Sequence, residues 1–550
     1  MSSVQTNKPN AADAIRNDFD AVQKIKNKTW KIYGPPGTGK THTLLNIIKY
    51  GIGKLHKVPE YVAYCSFTRS AAKEGMDRIL KAFPNKYKED SFELFKTIHA
   101  MCLSRTRDSS LEIIDENKHL PAFSYLERGE EVQLKVGKDE DGKVAIKNYP
   151  IEIYERARNC KLTLKEAYDA DNSMNKTPHW GDLVDIVDNW VKFKEGFFMD
   201  FTDMIEDFLI KDYSFKVDYF IVDEAQDLTP LQWDFVYLMA SKADTVIIAG
   251  DDDQAIHEWN GASVEEFLNF PGRTKVLHKS RRLPSKVLEF SKNITDQIQL
   301  RQPKDYIATG SKGYIQTNNF TLKHINFNEH IDDTWMVLAR TLTELKELRA
   351  YAKDMGLFFK TSSGYPSVNA THWKAIEIWD KLMKDEEIGI QEVGLVYSYI
   401  RNIQHGWRKT DNKRWSKITK DKFNYRYLHL NCGLQEEQGS WTTALDIDIH
   451  NKNYINKLLE RGVKSDSVPK ITIDKIHQVK GKEADHVVIW EQCPKICTLQ
   501  DKNSRERDAE LRVWYVAVTR AKKGVHIIQP NKPYGHHMPL TAIGNGRYRI

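Results

Sequence analysis

No stretch of this chain is apolar for long enough to cross a membrane. Its opening residues, MSSVQTNKPNAADAIRNDFD, lack the apolar core of a signal peptide. The expectation is a protein that stays where it is made, cytoplasmic or nucleoid-associated, with no membrane partner. Cysteine is scarce: Cys65, Cys102, Cys160, Cys432, Cys493 and Cys497 are scattered, which excludes a disulfide framework. Cys493 and Cys497 form a lone C-x-x-x-C without the further ligands of a zinc or iron–sulfur site, so all six read as ordinary reduced thiols. Strong charge of one sign is missing too, since a net charge of +6 over 550 residues names no partner. What remains is 40% hydrophobic and 29% charged, a globular composition with ample core, and a length suited to about three or four domains.

The charge is nevertheless uneven. Between Arg401 and Arg426 nine Lys or Arg stand against two Asp, with Trp407, Trp415, Phe423, Tyr425 and Tyr427 in or beside the run. Basic chains for phosphates interleaved with aromatics for bases make a nucleic-acid surface, with Trp407 and Trp415 as its candidate contacts. The same pattern equally makes a solvated face with the aromatics buried behind it.

The segment WKIYGPPGTGKTHTLLNIIKY carries more specific chemistry. A short apolar strand, Trp30 to Tyr33, runs into Gly34, Pro35, Pro36, Gly37, Thr38, Gly39, Lys40 and Thr41, and then into an apolar-periodic helix that includes His42. This is G-x-x-x-x-G-K-T in its required context of strand, loop and helix. Glycines let backbone N–H groups converge on phosphate oxygens, and the helix N-terminus adds its dipole. Lys40 is assigned to the β- and γ-phosphates of ATP and Thr41 to Mg²⁺. Downstream, VDYFIVDEAQD reads as a buried strand ending in Asp223 and Glu224. A second Mg²⁺ contact must come from such a strand end, which suits Asp223, and Glu224 is then placed to accept a proton from the attacking water.

A third strand, DTVIIAGDDDQ from Asp244, repeats the pattern of an apolar run with polar residues at its carboxyl end, where ligands collect in open α/β sheets. Gln254 is a candidate to orient the water or sense the γ-phosphate, while Asp251 to Asp253 read as loop-shaping hydrogen bonders. The loop continues to Trp259 as GDDDQAIHEWNGA, which joins phosphate chemistry to a base-sized aromatic.

Taken in order, these motifs resemble those of UvrD/Rep-type superfamily 1A DNA helicases. SFTRSAAKEGMDRI from Ser66 resembles F-T-N-K-A-A-x-E-M-x-x-R-I, and TIHAMCLSR and MDFTDMIEDFL follow in family order. DEAQD at Asp223 and GDDDQAIHEWNGA at Gly250 match the family closely. SRRLPSKVLEF from Ser280, IDKIHQVKGKEADHVVI from Ile473 and LRVWYVAVTRAKKGVHII from Leu511 complete the series. The resemblance implies an α/β fold of two RecA-like P-loop NTPase domains, each with an inserted, mainly helical subdomain. It implies that Arg282 and Arg520 face the γ-phosphate and that Glu483 lies near the ribose. It implies that Phe67, Thr68, Arg69, His99, His257, Trp259 and His477 contact single-stranded DNA, with Gln254 coupling ATP state to that track.

There are departures. The adenine-reading glutamine expected upstream is not in place, since the chain reads ADAIRNDFDAV there and Gln23 comes later. His42 replaces an arginine, Asn260 replaces another, and Arg281 stands where the family stacks a tyrosine on the base, a task its planar guanidinium can share. The implied division is a first core at 1–105 and 212–272 with an insertion at 106–211. A second core follows at 273–363 and 469–530 with a short insertion at 364–468, and 531–550 is a tail. The insertion at 106–211 is expected to hold a charged loop, KVGKDEDGKV, and then helices. The expected activity is an ATP-dependent helicase moving 3′ to 5′ on single-stranded DNA and opening duplex in replication, repair or recombination, as a monomer that meets protein partners of those processes. Two alternatives stand beside it: a DNA or RNA translocase that strips proteins without processive unwinding, and an ATP-gated binding switch.

Overall fold

The computed structural model describes residues 9–66, 68–106, 111–126, 135–138, 144–171, 179–319, 321–327, 332–410, 414–497, 499, 502–529 and 540–546. The chain divides into two compact units, Met1–Ile315 with Cys497–Gly524 and Pro539–Ile550, and Gln316–Ile496 with Val525–Met538.

The first unit is built on a six-stranded sheet. Its strands are β1 (Thr29–Tyr33), β2 (Val62–Cys65), β3 (Phe95–Lys96), β4 (Tyr219–Val222), β5 (Thr245–Gly250) and β6 (Arg273–Val276), in the order β6-β1-β5-β4-β2-β3. Every pairing is parallel. Runs such as YFIV and VAYC are buried throughout, as strands covered on both faces must be. Alternation divides them between two cores: Tyr33, Ala63, Phe220 and Val246 face one, and Ile32, Val62, Ile221 and Ile247 the other. The first core was expected to end at residue 272, but β6 pairs with β1 from Trp30↔Arg273 to Tyr33↔Val276, so the sheet runs on.

Within this unit the residues from Ile114 to Trp190 supply a separate apolar core, including Leu120, Phe123, Tyr154, Leu183, Val187 and Trp190. Buried ion pairs tie its helix Tyr149–Asn159 to the helix Phe201–Ile210. Arg158 meets Asp200 and Glu206 at 2.9 Å each and also Asp203, and Lys194 joins Asp200 and Asp203. The expected charged loop KVGKDEDGKV instead has strands at both ends, Lys135–Lys138 paired antiparallel with Val144–Lys147, and its centre lies outside the described residues.

The second unit has another six-stranded sheet. Its strands are β7 (Tyr314–Asn319), β8 (Trp335–Ala339), β9 (Phe359–Lys360), β10 (Ile471–Lys475), β11 (Ala484–Trp490) and β12 (Ala521–Ile528), ordered β7-β12-β11-β8-β10-β9. Here one apolar core runs from the sheet, through Val337, Ile473 and Val488, to Trp379, Tyr397 and Trp415 on the helical segments that follow β9. Most of the tail lies outside the described residues, which include the short helix Leu540–Gly544. Among the described residues no helix is long and apolar enough to cross a membrane.

Candidate nucleotide site and the loop beside it

Three adjacent strands, β1, β5 and β4, point their carboxyl ends to one place. The registers Tyr33↔Gly250 and Val222↔Ile248 align those ends, and the Gly34 N–H donates to the Gly250 carbonyl at 3.1 Å. Each strand then releases its polar residues where ligands bind in such sheets.

The loop after β1 turns through two left-handed glycines, Gly37 (φ +75°) and Gly39 (φ +81°). Gly39 is the N-cap of the helix Lys40–Lys54 and has no side chain to satisfy its first N–H groups, which are left for an anion. Lys40 Nζ donates to the Gly34 carbonyl at 2.9 Å and so lies over the loop. Thr41 Oγ1 donates to Asp223 Oδ2 at 2.7 Å, and the Tyr64 hydroxyl donates to the same oxygen at 2.9 Å. Burial, and then the Glu224 charge beside it, raise the Asp223 carboxyl above its ordinary value. Bare helix N–H groups, a buried lysine and a hydroxyl–carboxylate pair are the donor set that a nucleoside triphosphate with a divalent cation requires.

Residues 280–282 clasp this loop. Ser280 Oγ donates to the Pro36 carbonyl at 2.8 Å, and the Arg281 N–H to the Gly37 carbonyl at 2.8 Å. A Cβ on Gly37 would lie 2.4 Å from Arg282 Cβ, so only glycine admits the contact. Arg281 leaves its side chain exposed, as does His42, whose ring lies 2.9 Å from the Asn46 amide.

Arg520 meets Gln254 and feels the charge of Arg282. Arg520 is buried at the end of the helix Ser504–Val518; its Nη2 donates to Gln254 Oε1 at 2.8 Å, and Gln254 Nε2 donates to Asp251 Oδ2 at 2.5 Å. Burial, and then the charge of Arg282, push the Arg520 guanidinium down to about 9. Two cations held together in this way are relieved by an anion arriving between them.

The sequence left three neighbours of this site without roles. Lys304, with a side chain 0% exposed, meets Asp251 at 3.2 Å, Asp253 at 2.9 Å and also Asp252, while Arg301 grips Asp253 with two bonds of 2.9 and 2.8 Å. The triple aspartate is thus a buried anchor for the loop. Gln226, within DEAQD, is buried between Glu224 and Asp251. A buried amide inside a recognised motif was the available signal for Gln226; Lys304 and Arg301 lie about fifty residues beyond the acids they bind, and no local pattern marks them.

The candidate DNA contacts divide. Trp259 is 67% exposed on a single 3₁₀ turn closed by Gly261 at φ +91°. With Asn260 and Phe201 it lines a groove of about 1070 Å³ against Ile114, Asn148 and Tyr149. His99 packs edge-on to Phe201 with centroids 5.6 Å apart, and burial lowers its pKa. His257 caps the Trp259 turn and is half-buried. Thr68 is the N-cap of the helix Arg69–Ala82, accepting from the Ala71 N–H at 3.1 Å, and Arg69 is exposed. Phe67 lies outside the described residues. Glu483 and His477 belong to the second unit.

Trp407 and Trp415 require correction. Trp415 is 4% exposed in the core of the second unit, its indole N–H donates to the Trp407 carbonyl at 2.9 Å, and Trp407 packs edge-on against it at 5.4 Å. The buried-aromatic reading of the basic stretch is therefore the one observed, because four rings, those of Tyr397, Trp407, Trp415 and Phe423, satisfy one another.

Comparison with known proteins agrees with this geometry. Residues 16–275 match the model of the UvrD/REP helicase N-terminal domain. A probable DNA helicase II homolog of Mycoplasma pneumoniae is 22% identical over 90% of this chain and 81% of its own length. The ATP-dependent DNA helicase PcrA of Staphylococcus aureus is 23% identical over 71% of this chain, which spans only 54% of that relative. With the phosphate loop, the DEAQD strand end and the GDDDQ loop gathered at one sheet edge, residues 16–275 form a domain of the UvrD/REP helicase N-terminal family, and the chain as a whole is similar to DNA helicases of the PcrA and helicase II kind.

Proposed function

We propose that this protein hydrolyses ATP to move along single-stranded DNA and to open duplex ahead of it, travelling 3′ to 5′ as a monomer in replication, repair or recombination. The observation that carries the reading is the chain of contacts from Arg520 through Gln254 to Asp251, on the loop that ends in the exposed Trp259. A phosphate-sensing amide and a base-sized aromatic five residues apart cannot move independently.

Lys40 and the N–H groups of the loop hold the phosphates, and Thr41 and Asp223 hold Mg²⁺, which when bound neutralises charge on the transferring group. Glu224 accepts the proton of the attacking water. Arg282 and Arg520 stabilise the transition state, and departure of the γ-phosphate lets Gln254 shift and carry Trp259 with it. Trp259, His257, Phe67, Thr68, Arg69 and His99 form the strand track and Arg281 flanks the nucleoside; His477 and Glu483 are given strand and nucleoside roles by the family resemblance alone. The division into two core domains with insertions at 106–211 and 364–468 belongs to the same proposal.

The test is ATP hydrolysis with and without single-stranded DNA, with Lys40→Ala and Glu224→Gln as controls, followed by strand displacement on 3′- and 5′-tailed duplexes. Strong stimulation that both variants lose, and unwinding of the 3′-tailed substrate, are expected. Hydrolysis indifferent to nucleic acid would overturn the motor, and unwinding of the 5′-tailed substrate alone would overturn the polarity.

A further inference from the structure

The side chain of Gln226 is buried where two parts of the site meet. Its Nε2 donates to Glu224 Oε2 at 2.7 Å and to Asp227 Oδ2 at 3.1 Å, and its Oε1 accepts the Asp251 backbone N–H at 3.0 Å. The network fixes the amide's orientation, because the reverse would set its oxygen against two carboxylates and its NH₂ against an N–H. The approach to the GDDDQ strand end is close: a Cβ on Gly250 would lie 2.5 Å from Gln226 Oε1. Glu224 itself has left-handed backbone, φ +54°, which glutamate rarely adopts, so its direction is set by its contacts rather than by a helix or strand.

We infer that Gln226 is a positioning residue: it aims the Glu224 carboxylate and makes that aim depend on where Gly250 and Asp251 lie. The loop then has two links to the chemistry. Gln254 reaches Arg520 through side chains, and the Asp251 main chain reaches Glu224 through Gln226. Because hydrogen bonds weaken steeply with misalignment, a small displacement of the Asp251 main chain turns the carboxylate away from its productive direction while Lys40 and the helix N–H groups keep their hold on the phosphates. DNA on Trp259 would thereby govern hydrolysis rather than ATP binding. This rests on the roles proposed above for Glu224 and Trp259.

The experiment uses the full chain with Gln226→Met, which keeps length and volume but loses both donors and the acceptor. DNA-stimulated kcat is expected to fall about 10- to 100-fold, the effect of losing a hydrogen bond to a charged group, while KM for ATP stays within about twofold. Affinity for a non-hydrolysable ATP analogue is expected to stay unchanged, while the melting temperature falls by only a few degrees as the buried partners lose their bonds. Gln226→Glu keeps the acceptor for Asp251 but sets a charge against two carboxylates, and is expected to fall at least as far. In a Glu224→Gln background, Gln226→Met should add nothing to the single-turnover rate, since there is no base left to aim. Retention of stimulated kcat in Gln226→Met, or a further loss in the Glu224→Gln background, overturns the inference, as does a joint loss of kcat, analogue binding and melting temperature in both Gln226 variants. If wild type itself ignores DNA, the motor reading has failed; if wild type is stimulated and Gln226→Met is too, only the positioning role has.

Discussion

Two segments of this chain mix charge with tryptophan, and they are opposites in the folded protein. The loop from Gly250 to Ala262 leaves Trp259 67% exposed; the stretch from Arg401 to Arg426 leaves Trp415 only 4% exposed. The first follows a buried parallel strand and is anchored by three aspartates on Lys304, so its tip is held away from the core. The second has no such anchor in the sequence, and its rings find one another. Composition alone does not separate a nucleic-acid face from a small aromatic core; the element that precedes the tryptophan does.

The largest test of this contrast is Lys304→Met. It would leave three buried carboxylates to share Arg301, and uncompensated buried charge costs about 3–5 kcal/mol. Thermal unfolding is expected to begin well below that of wild type, with hydrolysis no longer responsive to DNA in whatever remains folded. A melting curve unchanged from wild type would mean that the loop is not held by this cluster. Next comes Trp415→Ala, which removes a fully packed indole for about 3–5 kcal/mol of stability. Its DNA affinity, measured below its unfolding temperature, should match wild type.

Trp259→Ala reverses that pattern. Little packing is lost, so stability should stay within about 0.5 kcal/mol of wild type. Affinity for single-stranded DNA should weaken by about 1–3 kcal/mol, the worth of one base stack, with basal hydrolysis less affected than the DNA-stimulated rate. Equal stimulation of the variant and wild type would remove Trp259 from the track.

How much of this was legible in the sequence follows the same division. The phosphate loop, the Asp223–Glu224 strand end and Gln254 were readable because each joins an apolar strand to polar residues within a few positions. Arg282 and Arg520 were readable only through the ordered resemblance, since nothing local ties them to a phosphate loop some 240 and 480 residues away. Lys304 and Arg301 were not readable at all, because an ion cluster formed by tertiary packing has no spacing rule. The strands beside KVGKDEDGKV were missed because its charged residues dominate so short a segment. The extension of the first sheet through β6 was missed because RTKV is short and polar, as an edge strand can be.

Trp407→Ala makes the smallest and most discriminating change. Trp407 is half-buried, and the contact it makes through its backbone, accepting the Trp415 indole N–H, survives the substitution. What is lost is one edge-on ring contact, the Arg414 guanidinium 5.7 Å above the ring, and the packing against Gly433, whose added Cβ would lie 2.4 Å from the Trp407 ring. Half of an indole's apolar area is worth about 1–2 kcal/mol, so a modest fall in melting temperature with unchanged DNA binding is expected. The opposite result, stability intact and affinity lowered with a shallower salt dependence, would mean that the nine basic residues and this ring act together on phosphate and base. In that case exposure of a single indole would be the wrong measure of a strand contact, and the contrast between the two segments would reduce to one of depth rather than of role.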